Sequence, residues 1–125
     1  MKSSGIASLL IAGALALASQ SALAQDAGKG EKVYKKCKAC HALEAGKNKV
    51  GPSLAGIFGR KAGSVEGFKY SKAMTESGIV WDEKTIGEFL TKPKDVVPKT
   101  RMAFPGLKKE ADRADLIAYL KEATK

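Results

Sequence analysis

Side chains that bind metals or carry redox chemistry are scarce in this chain. Its 125 residues include two cysteines and one histidine, and Cys40 and His41 are neighbours. A zinc site of about four ligands is therefore a poor reading, and one imidazole excludes coordination by two histidines. Acidic residues are also few, 13 against 22 Lys and Arg, which leaves a net charge of +9. There is one apolar run, Ile6 to Ala18, shorter than the roughly twenty residues of a membrane span. No internal repeat, low-complexity linker or second domain is evident.

The run has another use. It follows the weakly basic start Met1-Lys2 and precedes Ala22-Leu23-Ala24, the small-x-small pattern that signal peptidase cuts. Residues 1–24 are thus expected to be a cleaved secretory signal peptide, with an uncleaved anchor as the lesser alternative. No cysteine follows the run, so a lipoprotein anchor is unsupported. The remaining 25–125 would form one domain, and loss of Lys2 lowers the charge from +9 to +8. Export implies an oxidising compartment, where two free thiols tend to pair.

Those two thiols lie in Cys37-Lys38-Ala39-Cys40-His41. The spacing C-x-x-C-H is the attachment pattern of a c-type haem, each sulfur bonding one vinyl-derived carbon and the histidine reaching the iron. A thioredoxin-like dithiol would follow a strand in a βαβ unit. Here the preceding Gly30–Cys37 reads as a helix, with Val33, Tyr34 and Cys37 on one side and lysines on the other. Four Phe, three Tyr and one Trp fill a domain of this size sparingly. A buried porphyrin would supply apolar area, and the protein without it should fold poorly.

Ala42 to Arg60, rich in glycine and lacking periodicity, reads as a long ordered loop. Pro52 within it is either a turn proline or the residue whose carbonyl accepts the second ring N–H of His41. Gly67 to Met74 leads into a short helix closed by Gly78. Asp82 can cap a helix carrying Ile86, Phe89 and Leu90 that ends at Pro93. Trp81, just before it, is either core or an indole N–H seeking an acceptor such as a propionate.

The segment from Pro98 to Gly106, bracketed by prolines, should be extended and presents Met102. A methionine is more often a gap-filler than a ligand. Elimination shifts the balance: Met1 would leave with the signal and Met74 sits in a helical stretch, so Met102 is the better sulfur ligand. Lys109 to Ala123 reads as an amphipathic helix with Leu116, Ile117, Tyr119 and Leu120 as its apolar band, packing across the N-terminal helix.

The stretches Cys37–His41, Gly51–Leu54, Gly56–Arg60, Phe68–Ser71, Ile79–Trp81, Pro98–Gly106 and Asp115–Leu120 together resemble class I cytochromes c, close to the mitochondrial protein and its soluble bacterial relatives. The resemblance implies an all-α fold, about four to five helices and long loops wrapped around one covalently bound haem c. It also implies axial His41 and Met102, a hydrogen bond from His41 to the Pro52 carbonyl, and a place for Arg60, Tyr70, Trp81 and Thr100 at the haem propionates or in their hydrogen-bond network. Phe104 would lie beside the exposed haem edge. Phe89 and Met74 depart from the family, standing where relatives carry a tyrosine and an asparagine, and both make the pocket drier.

An iron held on both faces has no place for a substrate, which implies a one-electron carrier rather than an enzyme. Lys35, Lys36, Lys38, Lys49, Lys92, Lys94, Lys99 and Arg101 would surround the edge and steer the molecule to acidic faces of membrane redox complexes. The expected donor is of the quinol–cytochrome c reductase type, and the acceptor an oxidase, reductase or photosynthetic reaction centre. The expected state is a periplasmic monomer without stable membrane insertion. Nucleic-acid binding is a poor reading for an exported chain without a binding motif. The competing classes are a haem enzyme or small-ligand binder with a displaceable Met102, and a thiol oxidoreductase. Acidic organic extraction separates the last from the rest: haem should remain on the peptide carrying Cys37 and Cys40, whereas haem loss with two alkylatable thiols would refute attachment.

Overall fold

The computed structural model describes residues 25–125 together with the isolated Gly13. The expected signal peptide lies outside the described residues. Five helices follow in order: α1 Ala27–Tyr34, α2 Lys72–Glu76, α3 Glu83–Thr91, α4 Pro93–Val96 and α5 Glu110–Ala123. The described residues contain no strand, only an isolated antiparallel bridge between Lys61 and Val80.

The first helix begins three residues before the expected Gly30, because the Asp26 carboxylate accepts the Lys29 N–H at 3.0 Å and caps it. Regular α-helix stops at Tyr34 rather than Cys37. Turns carry the chain on: Cys37 N–H donates to Tyr34 O at 2.8 Å, Cys40 N–H to Cys37 O at 3.0 Å, and His41 N–H to Cys37 O at 2.9 Å. The attachment motif is therefore an extension of α1, wound more tightly.

Helix α5 packs across α1, as its apolar residues suggest. The crossing is close at Gly30, where a Cβ would run into the Asp115 carbonyl oxygen and come within 2.8 Å of Tyr119 Cβ. Tyr34 and Tyr119 meet with ring centroids 5.4 Å apart. The buried face of α5 differs from expectation at two positions. Leu116, Ile117 and Leu120 are buried, but Tyr119 is half-buried and Asp115 takes an interior place. Its carboxylate accepts the Asp26 N–H at 2.9 Å, so this interior charge holds the start of α1.

Helix α3 starts in a reciprocal cap: Thr85 N–H donates to Asp82 Oδ1 at 2.8 Å, and Asp82 N–H to Thr85 Oγ1 at 2.9 Å. It buries Ile86, Phe89 and Leu90. Pro93 terminates it as expected and also opens α4, where a missing N–H costs nothing at the first helical position. The loop over 42–60 is irregular, yet its backbone is tied down. Leu54 N–H donates to Ala42 O at 2.9 Å, and Gly56 N–H to Thr124 O at 2.7 Å near the end of α5.

Two glycines separate close helix contact from mere helix propensity. Gly30→Ala should lower stability by about 1–3 kcal/mol through overpacking at α1 and α5. Gly87→Ala in α3, whose Cβ would meet Ile117 Cδ1 at an ordinary 3.6 Å, should raise it by about 0.5–1 kcal/mol. Urea midpoints at constant slope check both.

Candidate cofactor site

Between these elements lies a cavity of about 700 Å³. Leu54, Ile57, Ile86, Leu90, Leu116 and Leu120 give it apolar walls. All nine residues singled out in the sequence border it: Cys37, Cys40, His41, Pro52, Arg60, Tyr70, Trp81, Thr100 and Met102.

His41 is held by several groups. Its Nδ1 lies 2.8 Å from the Pro52 carbonyl oxygen, so Nδ1–H donates there and Nε2 keeps a free lone pair. The ring rests against Gly51, where a Cβ would collide with Cε1 and come within 2.8 Å of Nδ1. Tyr34 Oη donates to the His41 carbonyl at 3.2 Å. Burial lowers the imidazole pKa from its usual 6.5; the Pro52 bond opposes this, and the Arg60 and Lys49 charges reinforce it. The neutral form, the one able to ligate a metal, is thereby favoured.

Cys37 is half-buried, and burial together with Cys40 pushes its thiol up to about 11, with Lys36 opposing. A thiol kept protonated is a poor nucleophile, which weighs against a thiol oxidoreductase.

Hydrogen-bond donors line part of the cavity. Arg60 Nη1 donates to the carbonyls of Ser53 at 2.9 Å and Ala55 at 3.0 Å, and no carboxylate pairs with the guanidinium among the described residues. Tyr70 Oη accepts the Val65 N–H at 3.0 Å and retains its own hydrogen. Trp81 is 7% exposed, and its indole makes no hydrogen bond among the described residues. Every fully sealed side-chain polar atom there has a partner, so this N–H remains reachable from the cavity. A cation and two unspent donors beside apolar walls suit a flat hydrophobic group carrying carboxylates, as a haem does.

Thr100 has an additional task. Its Oγ1 accepts the Met102 N–H at 3.3 Å and braces the methionine loop. The far end of that loop is pinned by Leu107 N–H donating to Leu90 O at 2.7 Å. Gly106, at φ +112°, has no room for a Cβ beside the Thr91 carbonyl. Lys99 has φ +65°, the one non-glycine residue with positive φ in the described chain. Phe89 packs on Trp81 with centroids 5.1 Å apart, and half-buried Met74 also lines the cavity.

The basic surface is more differentiated than the sequence suggests. All eight expected cations are exposed, but Lys92 lies 3.6 Å from Asp95, and Lys49 Nζ donates to Lys38 O at 2.8 Å. Lys36, Lys49 and Arg101 border the cavity together with Lys69, which the sequence pattern did not single out. Tyr34 and Gly51 were also missed as supports of His41. The glycine's place beside Pro52 was the one local clue, and nothing near Tyr34 in sequence pointed to its role.

An all-α domain whose C-x-x-C-H segment opens onto an apolar, carboxylate-accepting cavity defines a c-type haem protein. The family model for cytochrome c matches residues 27–124, and the chain belongs to the cytochrome c family. It is 59% identical over 85 residues to cytochrome c2 iso-2 of Magnetospirillum fulvum, covering 68% of this chain and 88% of that one. Cytochrome c2 of Blastochloris viridis is 51% identical over 102 residues, 81% of this chain and 80% of its own. Cytochrome c of Arabidopsis thaliana is 52% identical over 102 residues, 80% and 91% respectively. The protein is accordingly an electron carrier with one covalently attached haem c, not an enzyme.

Lys99→Gly should relieve roughly 1 kcal/mol of left-handed strain, offset partly by the greater unfolded-state freedom of glycine. Lys99→Val should instead destabilise. Thermal midpoints of the haem-bound proteins test this ordering.

Proposed function

We propose that this chain is exported, loses residues 1–24, and works in the periplasm as a diffusible one-electron shuttle between membrane redox complexes. Cys37 and Cys40 would hold the haem as thioethers, with His41 and Met102 as axial ligands. When bound, the haem supplies an Fe(III)/Fe(II) couple. Pro52 and Gly51 orient the imidazole, Thr100 steadies the Met102 loop, and Arg60, Tyr70 and Trp81 receive the propionates. Phe89 and Met74 keep water from the sulfur side.

The observation carrying this reading is the convergence of all nine residues on one cavity bordered by exposed cations. Membership of the cytochrome c family and similarity to bacterial proteins named cytochrome c2 support it. No described helix is long and apolar enough to cross a membrane. The partners are acidic faces of a quinol–cytochrome c reductase type donor and of an oxidase, reductase or photosynthetic reaction centre acceptor. Weak, charge-steered docking suits a carrier that must leave quickly.

Met102→Ala should abolish the weak far-red sulfur-to-iron band of the ferric protein and admit carbon monoxide to the reduced one, while Met74→Ala leaves the band in place. The reverse would identify Met74 as the ligand. Electron transfer to an acidic partner should slow as salt rises. Lys36→Glu or Lys69→Glu should slow it several-fold at low salt, whereas Lys84→Glu, away from the cavity, changes it little; stopped-flow rates across ionic strength test this.

A further inference from the structure

We infer that Lys49 is a positioning residue for His41, its ammonium tying the loop that carries Gly51 and Pro52 to the attachment turn. This rests on the proposed axial role of His41. The turn that extends α1 leaves one carbonyl over. Cys40 N–H and His41 N–H both donate to Cys37 O, and no backbone N–H among the described residues reaches Lys38 O. Carbonyls left over where a helix ends attract cationic donors, and Lys49 Nζ donates to this one at 2.8 Å. Lys49 enters no ion pair among the described residues, so no carboxylate there competes for its ammonium.

The bond belongs to a series. Along the attachment segment, the carbonyls of Lys38, Cys40 and Ala42 accept in turn from Lys49 Nζ, from Gly51 N–H at 2.7 Å and from Leu54 N–H at 2.9 Å. Gly51 and Pro52 lie between the outer two ties, and they are the residues that hold the imidazole. A Cβ on Gly51 would collide with the ring, and the Pro52 carbonyl accepts from Nδ1 at 2.8 Å. Asn48 Oδ1, accepting the Ser53 N–H at 3.0 Å, closes the same loop across its base. Lys49 makes the one tie in the series that comes from a side chain. It is exposed, so its removal opens no gap in the core. Without it, Gly51 N–H alone anchors that end of the loop, the Pro52 carbonyl gains freedom, and the orientation and basicity of the imidazole change with it.

The test compares the haem-bound native protein with Lys49→Met, Lys49→Arg and Lys36→Met. Methionine keeps the length of the lysine side chain but has neither charge nor donor. Lys49→Met should speed hydrogen exchange of the Gly51 N–H several-fold and displace the His41 ring-proton resonances of the ferric protein. Lys49→Arg, which can still donate to Lys38 O, should restore both. Lys36→Met, which takes a cation from the same cavity rim, should change neither. The effects of Lys49→Met should persist in about 1 M salt, where the screening length falls to ~3 Å. A Lys49→Met protein that matches Lys36→Met, or effects that vanish at high salt, would overturn the proposal and leave Lys49 a steering charge. If the iron leaves the His41 ring protons of the native protein unshifted, the ligation is overturned and the inference with it.

Discussion

The molecule is constrained by a volume that its own side chains do not fill. About 101 residues, 25–125, surround a cavity of about 700 Å³. A large apolar cavity among so few residues leaves little core that is independent of it. Cofactor and core are therefore one structural problem: Leu116, Leu120, Ile86 and Leu90 belong both to the hydrophobic cluster and to the cavity wall.

Given that constraint, the polar groups fall into two sets. One set holds the proposed ligands: the Pro52 carbonyl and Gly51 fix the His41 ring, Tyr34 holds its backbone, and Thr100 braces the loop of Met102. The other leaves donors unspent, in Arg60, Tyr70 and Trp81, where carboxylates can use them. Rigidity in the first set would suit electron exchange under the proposed ligation, because ligands that keep their positions in both oxidation states require little rearrangement.

Much of this was legible in the sequence where a local rule and the tertiary demand agree. C-x-x-C-H, the Asp82 cap, the Pro93 stop and the apolar residues of α5 are such places. The rest was hidden where a distant partner decides. Asp115 looks like a surface residue until the Asp26 N–H meets it, and that meeting accompanies the earlier start of α1. Pro93 reads as a terminator, but its opening of α4 depends on the turn after it. Lys99 gives no hint of its positive φ, because lysine has no preference for that region of backbone space. Whether a lysine near the cavity points freely to solvent was equally invisible, as Lys49 and its Lys38 acceptor illustrate.

The tie between Gly56 and Thr124 has a consequence for the order of maturation. It joins the loop that carries Pro52 to the last turn of the chain, while Cys37 and Cys40 lie near the beginning of the domain. Under the proposed export, a polypeptide threaded through a membrane amino end first would deliver its thiols to the far side well before α5 arrives to close the wall behind them. The clasp would then shut last, so that a bulky macrocycle can be stitched on while the container is still open.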